Sequence, residues 1–571
     1  MQLALLLLVG GLGAAGSGWG LARGGRAARG GAIAGALALL LLLVLALALE
    51  TPVVAVPGVE PGAGAGGSAG LFDGHLVPTA YLRLTLGLWA LDAVLIAFIA
   101  WLLGGLSLLR GVLPATLAAM TGGAVVLASA DLAIGAAAAT ASGLAALVAV
   151  LPGRGRSAVA TAARELRLSL GAGAVMLAVV AVAPLTAALT LGVPGGGEPT
   201  GGAGAAGAGS GASAVLGLGA LAVTLAVAAR LGAIPFHVRF PRIADAAAPV
   251  DLPLLLAWLA VPVGVAGLAI VDGQIAPLAQ PFVGDRLVIV ALAAVTLVGA
   301  ALAAYLQDDL RHATGYLVIA DGGLVLLGFA ALDPAAWGPA RVWLVAMAAS
   351  KSALAAWSAV AEDRFGTRSI PDLRGWLRRS PILAAGLAVT IVATFGVPGW
   401  VTFEARGTLA RLAVGAPWDA LLVLAGFLTL PTYLRLLVLG TGPATSKVDG
   451  AAPERIVRRR GEGRSLLKEA LRVEVEGEGW DDAAAARPAR SRMPSRPRSR
   501  SELATSLAGA RETGIHSATR FGAALRRDRT ELLAAAVLAL AVLAALASWG
   551  ALDLAGAAAE PAPIVSVQAA D

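Results

Sequence analysis

The sequence predicts an all-α polytopic membrane protein of about fourteen transmembrane helices. Two observations set the class. Of 571 residues, 58% are hydrophobic and only 14% are charged, where a soluble domain carries about a quarter charged residues. The apolar residues come in runs of about 20, the length that crosses the hydrocarbon core of a bilayer. A third observation, the alternation of basic and non-basic loops, supports the count.

The runs fall at residues 2–22, 31–50, 79–104, 108–129, 131–152, 168–193, 213–234, 252–271, 286–306, 314–332, 340–361, 381–413, 417–440 and 531–553. The first has no basic segment before it, so it reads as a spanning helix rather than a signal peptide. Arg23, Arg26 and Arg29 lie between runs one and two. Arg154, Arg156 and Arg164 lie between five and six, and Arg364, Arg368, Arg374, Arg378 and Arg379 between eleven and twelve. The loops 51–78, 192–212 and 332–339 hold no Lys or Arg. The positive-inside rule then places both termini outside and the basic loops in the cytoplasm, in a cell inner (plasma) membrane.

This division gives four parts: a membrane domain at 1–440, a basic and partly disordered cytoplasmic loop at 441–530, a final spanning helix at 531–553 and an external tail at 554–571. The stretch 195–213 is Gly/Ala-rich and reads as a flexible external loop. The basic loop carries a low-complexity Arg/Ser/Pro run at 486–501 and a short helical pattern at 466–475. It has too little apolar surface to fold fully. Two roles stay open for it: contact with anionic lipid headgroups, or a plain spacer.

Composition also excludes functions. The chain has no cysteine and four scattered histidines, so disulfides, thiolate chemistry and Cys-ligated iron–sulfur clusters are ruled out, and no haem or zinc site is suggested. No Gly-rich phosphate loop follows a strand. No cofactor is expected on this chain. The net charge of +7 resides in loops, which points to a membrane surface and not to nucleic acid.

The stretch 230–249, RLGAIPFHVRFPRIADAAAP, carries what a spanning helix avoids. Pro235 removes a backbone donor and breaks the helix. Arg230, His237, Arg239, Arg242 and Asp245 flank the break. Irregular backbone and ionisable groups at membrane depth are tolerated inside packed protein or beside a wet cavity, and such positions are functional candidates. The other reading is a helix end followed by a basic loop. Run twelve is interrupted at 396–399, followed by Glu404 and Arg406. Asp92 lies within run three and Asp321 within run ten. Asp92 is open to a second reading as a helix-end acid near the outer surface.

Lys351 is the sharpest single signal. The chain has three lysines, Lys351, Lys447 and Lys468, and Arg does the basic work elsewhere. Lys351 sits in the middle of run eleven. An ammonium can give up its proton, whereas a guanidinium stays charged, so a Lys kept here suits a group that loses and regains a proton. A static ion pair with Asp321 is the alternative.

These motifs resemble the antiporter-like membrane subunits of NADH:quinone oxidoreductases and of multisubunit cation/proton antiporters. Pro235, Phe236, His237, Pro241, Asp245, Ala248 and Pro249 fit the family signature, with Arg230 at its Lys position. Tyr316, Ile319 and Gly323 fit a second motif, in which Asp321 takes a His position. The segment 307–311 is similar to the family's loop. Lys351 matches the helix-eleven Lys, although Met347 replaces the His a turn before it, and Arg406 stands at the Lys position after the second break. Residues 432–435 resemble a motif of the subunit-N branch. The resemblance covers roughly 92–435.

It implies two inverted five-helix repeats, with helices 7 and 12 broken, a general transporter architecture. It also implies a subunit of an NADH:quinone oxidoreductase-type complex, tied to proton translocation. Electron transfer would then lie on partner subunits, with other membrane subunits and the bilayer as neighbours and quinone met only through the complex. A subunit of a cation/proton antiporter or membrane-bound hydrogenase, and a non-conducting scaffold, are the alternatives. The implied proton pathway is Lys351, Asp321, Arg230, His237, Arg406, Glu404 and Asp92. Two departures count against conduction. No acid occurs at 132–151 for the family's helix-five Glu, and no basic residue at 252–271 for its helix-eight Lys, where Val261 falls. The expectation is therefore that the Glu–Lys switch and the central relay are both broken.

Overall fold

A computed structural model describes residues 1–50, 75–150, 156–191, 204–275, 283–443 and 528–560. Most of the basic loop, and the 466–475 and 486–501 segments within it, lie outside the described residues, as do 195–203 and most of the tail; 204–213, expected as flexible loop, is instead the start of a helix. Among the described residues there is no strand, only the isolated bridges Leu76–Ser129 and Asp309–Ser369.

The helices are α1 (Gln2–Arg23), α2 (Gly25–Leu47), α3 (Ala80–Gly104), α4 (Leu106–Ala128), α5 (Leu132–Val150), α6 (Arg156–Leu191), α7 (Gly204–Leu231), α8 (Arg239–Ala246), α9 (Ala260–Ile270), α10 (Val283–Leu306), α11 (Leu310–Ala331), α12 (Trp337–Phe365), α13 (Trp376–Arg379), α14 (Pro381–Phe395), α15 (Val401–Val414), α16 (Trp418–Ala425), α17 (Leu430–Thr441), α18 (Asp528–Trp549) and α19 (Leu554–Ala559). Among the described residues, 13 helical stretches are long and apolar enough to cross a membrane, and α14 is a shorter apolar helix. With α14 and α15 taken as the two halves of run twelve, the expected fourteen are present.

The helices sort by how completely their surfaces are covered. α12 is wholly buried over its most apolar stretch, and α11 and Pro249–Ile275 over 94% of theirs. α6 is buried over 28% and α1 over 33%. A helix that is apolar all round is stable only when surrounded by protein or lipid. α12 therefore forms the centre, packed against α11, α14, α15, α3 and α9, while α1 and α6 present apolar faces such as Leu8, Leu12, Leu170 and Leu185 outward. At Gly20 and Gly31 α1 and α2 touch backbone to backbone, and a Cβ on either would lie 2.7 to 2.9 Å from the other helix.

Both expected breaks are present. α7 ends at Leu231, three residues before Pro235's preceding peptide, and Gly232 takes a left-handed φ of 68°. The chain resumes as α8 at Arg239. The second break, between Phe395 and Val401, uses Gly396 at φ 66° and Gly399 at φ 88°. Local caps fix other ends: Asp309 accepts from the backbone N–H of Arg311 and His312 at the start of α11, and Thr79 accepts from Leu82 at the start of α3.

Two expectations are corrected. Run six does not begin at 168; α6 starts at Arg156, so Arg156 and Arg164 lie on a helix and not in a loop. Charged residues spaced along a helical face hid that extension from an apolar-run reading. Run eight is not one regular helix: π-helical turns at Pro253–Trp258 and Val271–Ile275 flank α9, the first opening at Pro253, four residues after Pro249.

Candidate functional site

Two buried ion-pair centres lie in this bundle, one beside each helix break. The first to consider is on α12. Lys351 is wholly buried, and its Nζ lies 2.8 Å from Asp321 Oδ2 on α11. It also donates to the Tyr433 hydroxyl of α17 at 2.9 Å. Asp321 sits where it does because α11 is capped and then buried; its backbone carbonyl accepts from Trp343 Nε1 of α12 at 3.1 Å. Tyr433 is itself buried, edge-on to Phe395 at 5.7 Å between ring centres. The Lys351–Asp321 contact expected from sequence is therefore real, and Tyr433, read only as part of a branch motif, is its third member.

Arg406 flanks this centre from α15. Its Nη2 donates to the carbonyls of Thr394 and Phe395, at 3.1 and 3.0 Å. These are the last carbonyls before the break, which a regular helix would leave open. The guanidinium lies between Trp343 and Phe427, 5.0 Å from each ring centre. Glu404 is placed otherwise than expected: it is exposed, accepts from the Gly399 N–H at 3.4 Å and stands apart from the buried charges.

The second centre lies below the first break. Arg230, in the last turn of α7, donates to Ser169 at 2.6 Å and lies 3.5 Å from Glu165 Oε2. Glu165 is buried on α6 and is gripped by a second guanidinium. Arg239 Nε meets Glu165 Oε1 at 2.9 Å and Nη2 meets Oε2 at 2.7 Å, a two-pronged pair. Arg239 Nη1 also donates to the carbonyl of Arg230, closing the break upon itself.

Glu165 gives this half an acid–base pair that the sequence reading did not include. No acid lies on α5, but the next helix supplies one, against a guanidinium instead of an ammonium. The signal was present in the sequence, since Glu165 and Ser169 are four residues apart and share a helix face. It was masked because Glu165 lies between Arg164 and Arg167, in what read as a basic loop. Val261, at the position of the family's helix-eight Lys by resemblance, is fully buried on α9, a helix without a charged residue.

Asp92 is not a helix-end acid. It lies midway along α3, buried, and accepts from Trp258 Nε1 and from the Ser352 hydroxyl, each at 2.7 Å. Ser352 is the neighbour of Lys351 on α12. His237 lies half-buried in the first break, 6.5 Å ring to ring from Tyr316, and joins neither centre. Asp245 of the signature serves at the rim, where it meets His312 at 3.1 Å and Arg368 at 3.5 Å. Nearby, Arg311 pairs with Glu362 at 2.7 Å.

A family model described as NADH:quinone oxidoreductase/Mrp antiporter, TM, matches residues 206–432. NADH-quinone oxidoreductase subunit N of Halorhodospira halophila is 32% identical over 218 residues, 37% of this chain and 44% of that protein. The chain spans less than half the length of the curated relatives it matches. The Mrp complex of Dietzia sp. DQ12-45-1b superposes with a TM-score of 0.58 at 18% identity, over 79% of this chain and 48% of that one. Respiratory complex I from Thermus thermophilus gives 0.54 at 17%, over 78% and 91%. Those two likenesses speak for the fold. The chain is a multi-pass membrane protein with the fold of these antiporter-like subunits, and its residues 206–432 match the domain described as NADH:quinone oxidoreductase/Mrp antiporter, TM.

Proposed function

We propose that this protein is a membrane subunit of an NADH:quinone oxidoreductase-type complex and translocates protons, with electron transfer on partner subunits. One observation carries the reading: a lysine, rare in this chain, lies fully buried against one carboxylate and one phenol at the centre of the bundle. Burying a charge pair is costly in structural terms and is seldom a net gain over apolar packing. A Lys–Asp–Tyr cluster, each member able to hold or pass a proton, gives that cost a use. Lys351 is the proton carrier, Asp321 its counter-charge and Tyr433 its hydrogen-bond acceptor. Asp92, buried midway along α3, and His237, half-buried in the first break, are further members of the proton pathway. Arg230 and Arg406 are fixed charges that cannot release protons.

The matched relatives and solved neighbours are parts of multisubunit assemblies by name, so other membrane subunits are the expected neighbours. The protein resides in the plasma membrane with both termini external and 441–530 cytoplasmic, which the loop charges support. The test uses the assembled complex in proteoliposomes. Lys351→Arg keeps the charge but not the exchangeable proton, and should assemble and lose proton translocation. Lys351→Met should lose it as well and leave Asp321 unpaired. Full translocation by Lys351→Arg reduces the pair to a structural one. Full translocation by an assembled Lys351→Met variant excludes both roles.

A further inference from the structure

A second set of acids lies away from both ion-pair centres. Asp251 follows Pro249 in the short turn before the first π-helical stretch, and it is 3% exposed. Its Oδ1 is buried with no hydrogen-bond partner among the described residues. The carboxyl group is let in by Gly111 of α4, where a Cβ would meet it at 2.9 to 3.2 Å. Any larger residue at 111 would contest that space. A polar atom left unpaired at such depth costs about 1–3 kcal/mol, so its position calls for a partner.

The partner space is next to it. A cavity of about 10 Å³ is lined by Asp251, Asp92, Thr116, Trp89 and Trp258 among others. That is about the room one water molecule occupies, and a buried water needs two to four polar neighbours. Two carboxyls and the Thr116 hydroxyl meet that need. The walls are apolar and fixed: Trp89 and Trp258 stack 5.2 Å apart with their planes 6° from parallel, and Trp258 is held in place by its bond to Asp92. No cation lines the cavity. Neither Asp92 nor Asp251 makes an ion pair among the described residues. Lys351 is one residue from Ser352 but faces Asp321 and Tyr433.

We propose that this cavity is a proton-holding site, in which Asp251 and Asp92 share a proton through one water molecule. Burying two unpaired carboxylates would be far costlier than burying an acid and one carboxylate, so the site keeps a proton. The transfer is neutral in charge: as Asp251 gives a proton to the water, the water gives another to Asp92, and the reverse restores the start. Ser352, bonded to Asp92, ties the site to α12, the helix that also carries Lys351 on another face. Its use in translocation rests on the function proposed above; its existence does not.

Infrared spectroscopy of the purified complex tests it. The wild type should show a protonated-carboxyl stretching band that shifts in D₂O. Asp251→Asn, which keeps shape and polarity, should shift or remove that band, and so should Asp92→Asn, because the proton is shared and either change alters the hydrogen bonding of the carboxyl that remains. If Asp251→Asn does not assemble, Asp92→Asn gives the reading alone. A band unchanged in position and intensity in both assembled variants overturns the proposal. A wild-type band that vanishes on adding sodium at constant pH marks a metal-cation site and overturns it too. A wild type that passes no protons yet loses the band on mutation removes the functional reading and leaves the site standing.

Discussion

The two ion-pair centres are built from the same parts and differ in one choice. Beside the first break, one acid faces two guanidiniums: Glu165 with Arg230 and Arg239. Beside the second, one acid faces one ammonium and that ammonium meets a phenol: Asp321, Lys351, Tyr433. The guanidinium is always charged and grips a carboxylate with two prongs, whereas the ammonium is a compact charge that exchanges its proton. The first centre is thus a clamp that holds α6, α7 and the start of α8 together. In the function proposed above, the second changes its charge state. The comparison teaches that retention of an acid–base pair does not by itself retain a relay.

The largest effect should come from breaking the clamp. Glu165→Gln leaves two buried guanidiniums without an anion, and loss of one partner from such a pair costs about 3–5 kcal/mol. Thermal unfolding of the purified complex should show a large loss of stability, partly recovered when Arg239→Gln is added, since Arg230 then remains the one buried cation without an anion. If Glu165→Gln alone is as stable as the wild type, the clamp is not structural.

A smaller effect is expected from exchanging the chemistry while keeping the charge. Arg230→Lys preserves the positive group, and Arg239 retains its two-pronged hold on Glu165. The cost should be about 1 kcal/mol from lost hydrogen bonds. Passive proton entry into proteoliposomes should rise, because the clamp now contains an exchangeable proton. Unchanged proton entry would show that cation type is not what separates the two centres.

The smallest effect belongs to the rim. Asp245 is half-exposed, and exposed pairs contribute about 0–1 kcal/mol. Asp245→Asn should shift the unfolding temperature little and leave translocation intact. A loss comparable to that of Glu165→Gln would mean that the rim, and not depth, sets which pairs matter.

The membrane helices were legible in sequence because an apolar run of the right length has few other fates. The breaks were legible because Pro235 and the Gly396–Pro398–Gly399 cluster violate helix rules inside such runs. Lys351 stood out because it is a rare residue type at the centre of a run. The residues that escaped notice did so for one reason: charge near a run's end reads as loop. Glu165 lies between Arg164 and Arg167, and Asp251 lies between Pro249 and Pro253. Only tertiary packing turns those ends inward. Nor does local sequence tell that Tyr433, far along the chain, closes over Lys351.

Arg406 has a consequence for what can approach the second break. α14 ends there, and a helix C-terminus carries roughly half an elementary negative charge, a natural lure for a metal cation. The guanidinium of Arg406 already occupies that lure, bonded to both terminal carbonyls and walled by two aromatic rings. One full positive charge against about half a negative one leaves the spot electropositive. The break is in effect a filled socket, and a sodium or potassium ion arriving at this depth meets repulsion where a bare helix end would have offered a seat.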